Sequence, residues 1–122
     1  MIAFTIPVAP VTKKNHQQII SIKGKPMVIP SKQYRQYEAD CGYFLKPYKI
    51  GERVNVKALY YMPTKRKVDL CNLHEALCDV LVKYEVLMDD NSSIIASMDG
   101  SRVLYDKENP RTEVEISYLG TR

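Results

Sequence analysis

The 122-residue chain carries 18 Lys and Arg against 14 Asp and Glu, a net charge of +4, and 45% hydrophobic residues. That balance suits a globular domain able to remove roughly two-thirds of its unfolded surface from water, and it excludes a low-complexity or repeat protein. No stretch is long and apolar enough to span a bilayer, and "MIAFTIPVAP" has neither the basic start nor the apolar run of a signal peptide. Cys41, Cys71 and Cys78 are odd in number and form no CxxC pair, which favours free thiols in a reducing compartment. The expectation is a cytoplasmic protein with no membrane partner.

The charge is divided along the chain. Residues 1–67 hold 13 Lys and Arg against 3 Asp and Glu, whereas residues 68–122 hold 5 against 11. A basic region beside an acidic one suits a surface that grips phosphates with one and a cation with the other.

In chain order, "IAFTIPV" alternates Ile2, Phe4 and Ile6 on one face and predicts a strand ending near Pro7. "APVTKKNHQQ" is a loop carrying Lys13, Lys14 and His16, and "IISIKGKPMVI" predicts a hairpin turning at Gly24. "SKQYRQYEADCGYFL" opens on a capping serine, Ser31, and spaces Tyr34, Tyr37, Cys41 and Leu45 at helical intervals. "RVNVKALYYM" alternates again, with Val54, Val56, Ala58 and Tyr60 on one side. Pro63 and "TKRK" form a loop leading to a second predicted helix over about residues 69–84.

Drawn as a wheel, that helix gathers Leu70, Leu73, Leu77, Val80, Leu81 and Tyr84 on an apolar arc suited to a sheet. Asp69, Asn72, Glu75, Asp79 and Lys83 form a polar arc, and Cys71, His74 and Cys78 a third. Beyond it, Asp99-Gly100 predicts a tight hairpin turn, and Asn109-Pro110 breaks the chain before a last strand alternating Val114, Ile116 and Tyr118. The order β-β-β-α-β-α-β-β-β predicts the α+β class with α/β-type layers, a mixed sheet carrying two helices.

Three groups of residues carry chemistry. Asp69, Glu75, Asp89 and Asp90 are carboxylates able to hold a hard cation, Mg²⁺ or Mn²⁺, which could activate water at a phosphate. The competing reading makes Asp69 a helix cap, Asn72 with Glu75 a capping pair, and Asp89-Asp90-Asn91 a polar turn. Cys71, His74 and Cys78 could ligate zinc, but a structural site needs a fourth ligand, and free cysteine commonly packs as a small hydrophobe. Packing is the favoured reading. Lys13, Lys14, Lys65, Arg66 and Lys67 sit in two loops that could hold a phosphate backbone without reading bases, against the alternative of solvated loop charge. Tyr34, Tyr60 and Tyr61 could stack on bases, although core packing is the commoner use of tyrosine at such spacings.

"VDLCNLHEALCDVLVKYEVLMDD" is similar to the central signature of the RusA-like Holliday junction resolvases, small bacterial and phage endonucleases that cut four-way DNA junctions. Their pattern is Asp-x-Asp-Asn, a lysine on the first helical turns, a helical aspartate and a closing Asp-Asp. Asp69, Asn72, Asp79, Asp89 and Asp90 match it at the expected separations, and the opening strand, basic loop and closing "NPRTEVEI" also fit. The resemblance implies one RusA-like domain over residues 1–122, a homodimer, and Mg²⁺-dependent resolution of branched DNA in a bacterial cytoplasm, from a phage or prophage gene. It makes Asp69 and Asp90 metal ligands and Asp89 a supporting or alternate one. Two positions depart from the pattern: Cys71 replaces the second aspartate and Glu75 the lysine. A thiol is a poor ligand for Mg²⁺. Glu75, four residues beyond Cys71, can return the lost carboxylate as a third ligand, and Lys83 or a basic loop can return the cation. The alternative is a weakened member of the same fold that binds branched DNA or a regulatory partner without cutting.

Overall fold

The alternating apolar positions become the inner face of a mixed sheet. A computed structural model describes residues 1–13 and 17–120, with side chains described for all of these except 17–20 and 27–30. In chain order the elements are strands β1 (Ile2–Ile6), β2 (Gln17–Ile22) and β3 (Lys25–Pro30), helix α1 (Lys32–Cys41), strand β4 (Val54–Met62), helix α2 (Leu70–Lys83), and strands β5 (Ile95–Ser97), β6 (Arg102–Tyr105) and β7 (Arg111–Tyr118). This is the order expected from the sequence, and the α+β class is borne out.

The main sheet runs β1-β7-β4, all antiparallel neighbours, with β5 and β6 both parallel to β4. Register aligns Ile2 with Ile116 and Val56, and Phe4 with Val114 and Ala58, so apolar side chains form rows across three strands. Helix α2 lays Leu73, Ala76, Leu77, Val80 and Leu81 in the core with these rows, each almost wholly buried. Burial of each leucine side chain is worth about 1.5–3 kcal/mol. Packing against the sheet therefore fixes which arc of α2 remains outside.

Helix α1 begins where Ser31 Oγ accepts a hydrogen bond from the Tyr34 amide at 3.1 Å. It buries Tyr34, Tyr37 and Cys41, as their spacing predicts. It stops at Cys41 rather than continuing to Leu45, and Gly42–Phe44 forms a 3₁₀ turn. At Gly42 the chain passes against the Tyr84 ring, where a Cβ would stand 2.6 Å from ring carbon. The Tyr84 hydroxyl donates to the Glu38 carbonyl at 2.9 Å, so the ends of the two helices are joined there.

The expected hairpin at Asp99-Gly100 is not formed. Strands β5 and β6 follow one another along the same edge of β4, at Val54–Asn55 and then at Leu59–Met62. The intervening residues leave the ladder, and side chains repair it. Asn55 Oδ1 accepts from the Asp99 amide at 2.8 Å, and Ser101 Oγ accepts from the Ala58 amide at 3.0 Å. Gly100 takes φ +87° in this excursion, against the Lys57 stem. A turn does form there, the Met98 carbonyl accepting from the Ser101 amide at 3.3 Å, but it joins two strands that both run parallel to β4. Strands β2 and β3 form their own two-stranded sheet, with Lys23 (φ 52°) and Gly24 (φ 79°) in a two-residue turn of the I′ kind.

Candidate metal centre and nucleic-acid interface

Asp69 is the N-cap residue of α2, and its backbone carbonyl accepts from the Asn72 and Leu73 amides. Its side chain makes no cap hydrogen bond; Asp69 Oδ2 instead accepts from Asn72 Nδ2 at 3.3 Å. The carboxylate is thus left outward at the head of the helix, exposed. Glu75 is exposed on the outer arc of the same helix. Among the described residues neither is paired with a lysine or arginine.

Asp89 and Asp90 follow the turn that leaves α2, both exposed. Asp89 accepts from the Asp90 amide at 2.7 Å and from Asn91 Nδ2 at 3.0 Å. The bond from the Asp90 amide holds the Asp89 carboxyl below the usual carboxylate range, with the Asn91 bond adding to it. Asp89 therefore builds the polar turn, while Asp90 is carried free beside it. The Asp90 charge acts on the Cys78 thiol, so the two stand within electrostatic range. Cys78 lies nine positions beyond Asp69, about 13 Å along a helix axis. Glu75 falls between these two levels. Among the described residues of one chain, no group of three His, Cys, Asp or Glu stands close enough to hold an ion.

Packing accounts for His74 and Cys78 in the thiol and imidazole arc, but not for Cys71. Burial raises the Cys78 thiol to about 12, with the Asp90 and Asp79 charges adding, so the sulfur remains a protonated filler. Cys71 is exposed. His74 Nδ1 lies 2.6 Å from the hydroxyl of Tyr60, which is fully buried, and burial lowers the imidazole below its ordinary range. His74 is the hydrogen-bond partner of that hydroxyl among the described residues, and in the Nε2–H tautomer the hydroxyl donates to Nδ1. Tyr60 and Tyr34 are core residues, and Arg111 covers one face of the Tyr61 ring at 3.7 Å.

The basic residues divide into engaged and free. Lys13 Nζ meets Asp79 Oδ2 at 3.0 Å and lies over the Tyr34 ring, so its charge joins the loop after β1 to α2. Lys83 meets Glu38 at 2.6 Å, and that bond raises the ammonium's pKa. Lys65 lies over the Tyr105 ring at 5.0 Å. Lys14 and His16 lie outside the described residues. Arg66 and Lys67 line a cleft of about 360 Å³ with Thr12, Gln33 and Thr64, immediately before Asp69. The two loops singled out by charge therefore do meet. Thr12 and Gln33 were missed in the sequence, where nothing but their neighbours marks them.

A family described as endodeoxyribonuclease RusA matches residues 7–117 of the chain. A comparison with curated proteins finds no match.

Proposed function

The chain belongs to the RusA endodeoxyribonuclease family, and from that premise we propose that it is a Mg²⁺-dependent, structure-selective endonuclease that resolves four-way DNA junctions as a homodimer. One observation supports this most: the exposed Asp69 carboxylate, at the head of α2, directly follows the residues that line a cleft holding Arg66 and Lys67. A phosphate seated in that cleft would lie beside Asp69.

The donor set suits a hard cation. Mg²⁺ keeps several waters and needs only one or two carboxylates when a substrate phosphate joins its shell. Asp69, Asp90 and Glu75 would supply its carboxylate oxygens; since no three such groups stand together among the described residues of one chain, waters, the substrate phosphate or a second subunit would complete the shell. When bound, the ion supplies Lewis-acid stabilisation and an activated water. Asp89 orients the turn that carries Asp90. Arg66 and Lys67 grip the phosphodiester and offset its charge, the task for which the family pattern has a lysine at position 75. Asn72 steadies the Asp69 carboxylate through its amide. Selectivity for a junction comes from the two-fold relation of two such clefts, which a four-way junction can match and a linear duplex does not.

Purified protein incubated with a four-way junction and with linear duplex, each in Mg²⁺ and in EDTA, tests this reading. Nicking confined to the junction in Mg²⁺ is the expected result. Cys71 favours a second reading, since its exposed sulfur stands where an oxygen ligand is needed. Tight junction binding with no nicking in Mg²⁺ or Mn²⁺ would select that non-cutting form instead.

A further inference from the structure

The β2–β3 hairpin has no role in the site described above. It shares no strand pair with the main sheet, and its two strands pair only with each other. Its tip adds nothing to the core: residues 21–26 are all exposed, Ile22 at 43%. Its charge is one-sided. The first 37 residues hold six Lys and Arg and no Asp or Glu. Lys23 and Lys25 flank Gly24 at the tip, and among the described residues neither meets a carboxylate.

The position of its base matters equally. Thr12, shortly before β2, and Gln33, shortly after β3, both line the cleft that holds Arg66 and Lys67. Six-residue strands reach about 20 Å. The ribbon therefore rises from the rim of the phosphate cleft and ends in a cationic tip roughly six base pairs away along a duplex. A two-stranded ribbon fits the major groove of B-form DNA. Residues 17–30 contain no Phe, Tyr or Trp, so the ribbon lacks the stacking platform that single strands require.

We propose that the β2–β3 ribbon lies along a duplex arm of the branched substrate and sets Lys23 and Lys25 on its backbone phosphates. This rests on the DNA-acting reading above and adds a second contact region to it. The I′ turn fixes both lysines at the tip, one in a left-handed conformation and one at the start of the return strand.

The test is junction binding in EDTA, followed by fluorescence anisotropy across a salt series, for wild type and for Lys23→Asn/Lys25→Gln. Asparagine tolerates the positive φ of Lys23, so the turn is retained. Loss of two phosphate contacts should reduce the slope of log affinity against log salt by about 1.8, which is about 60-fold at 0.1 M salt. The hydroxyl-radical footprint should retract by about half a helical turn on one arm. Lys46→Gln/Lys107→Gln, which removes equal charge elsewhere, should leave slope and footprint unchanged. Should the double variant unfold, Lys25→Gln alone should lower the slope by about 0.9. A tip variant with wild-type slope and footprint overturns the ribbon contact while leaving the nuclease reading intact. So does an equal loss in the control pair, or an effect on oligomeric state alone. Wild type that binds no branched DNA overturns both.

Discussion

Lys13 Nζ lies 3.0 Å from Asp79 Oδ2, across 66 positions of sequence. This pair ties the loop after β1 to the outer arc of α2, and the ribbon's entry follows directly. Each side chain is about one-third exposed, so solvent screens part of the attraction. A double-mutant cycle with Lys13→Gln and Asp79→Asn should give a coupling of about 0.5–1 kcal/mol by urea denaturation.

Helix α2 is held by its apolar arc. Leu77→Ala should destabilise by about 2–5 kcal/mol, a large share of the roughly 5–15 kcal/mol typical of a domain. Chemical denaturation measures it directly. A loss below 1 kcal/mol would mean that α2 is not seated on the sheet as described.

The Tyr60–His74 bond predicts both an energy and a tautomer. Tyr60→Phe should cost about 1 kcal/mol, because His74 Nδ1 loses its donor. In the wild type at neutral pH, imidazole ¹⁵N shifts should report the Nε2–H form, and in Tyr60→Phe a mixture of the two.

Asp106 accepts from Arg111 Nη1 at 2.8 Å and from the Asn109 amide at 3.1 Å. The guanidinium holds its carboxyl below the ordinary value of 3.8. An unfolded chain therefore binds the proton more readily than the folded one. The contribution to stability is fully present above pH 3.8 and is lost as pH falls through the lower folded value. Thermal midpoints measured through this acid range should fall more steeply in the wild type than in Asp106→Asn.

How much of this was legible in the sequence depended on the range of the cause. The arc of α2 and the alternation of β4 follow from local period, and the structure buries Leu73, Leu77, Val54 and Val56 as expected. The I′ hairpin at Lys23-Gly24 is equally local. Asp99-Gly100 misled because its turn chemistry is local, whereas the direction of β6 is set by parallel pairing with β4. The polar arc of α2 was legible as a surface but not as a set of partners. Lys13 for Asp79, Glu38 for Lys83 and Tyr60 for His74 are tertiary neighbours that no spacing encodes. The two basic loops were legible by charge, and the cleft between them needed the fold.

The most direct measurement of the central claim is the rate of junction nicking in Mg²⁺ by Asp69→Asn, Asp90→Asn and Glu75→Gln beside the wild type. Loss of a carboxylate ligand should slow cleavage by about a hundredfold or more in each, with Glu75→Gln as severe as Asp90→Asn, and with folding unchanged. Wild-type rates in Asp69→Asn and Asp90→Asn would contradict a metal centre held by these carboxylates, and a wild-type rate in Glu75→Gln would remove that residue from it.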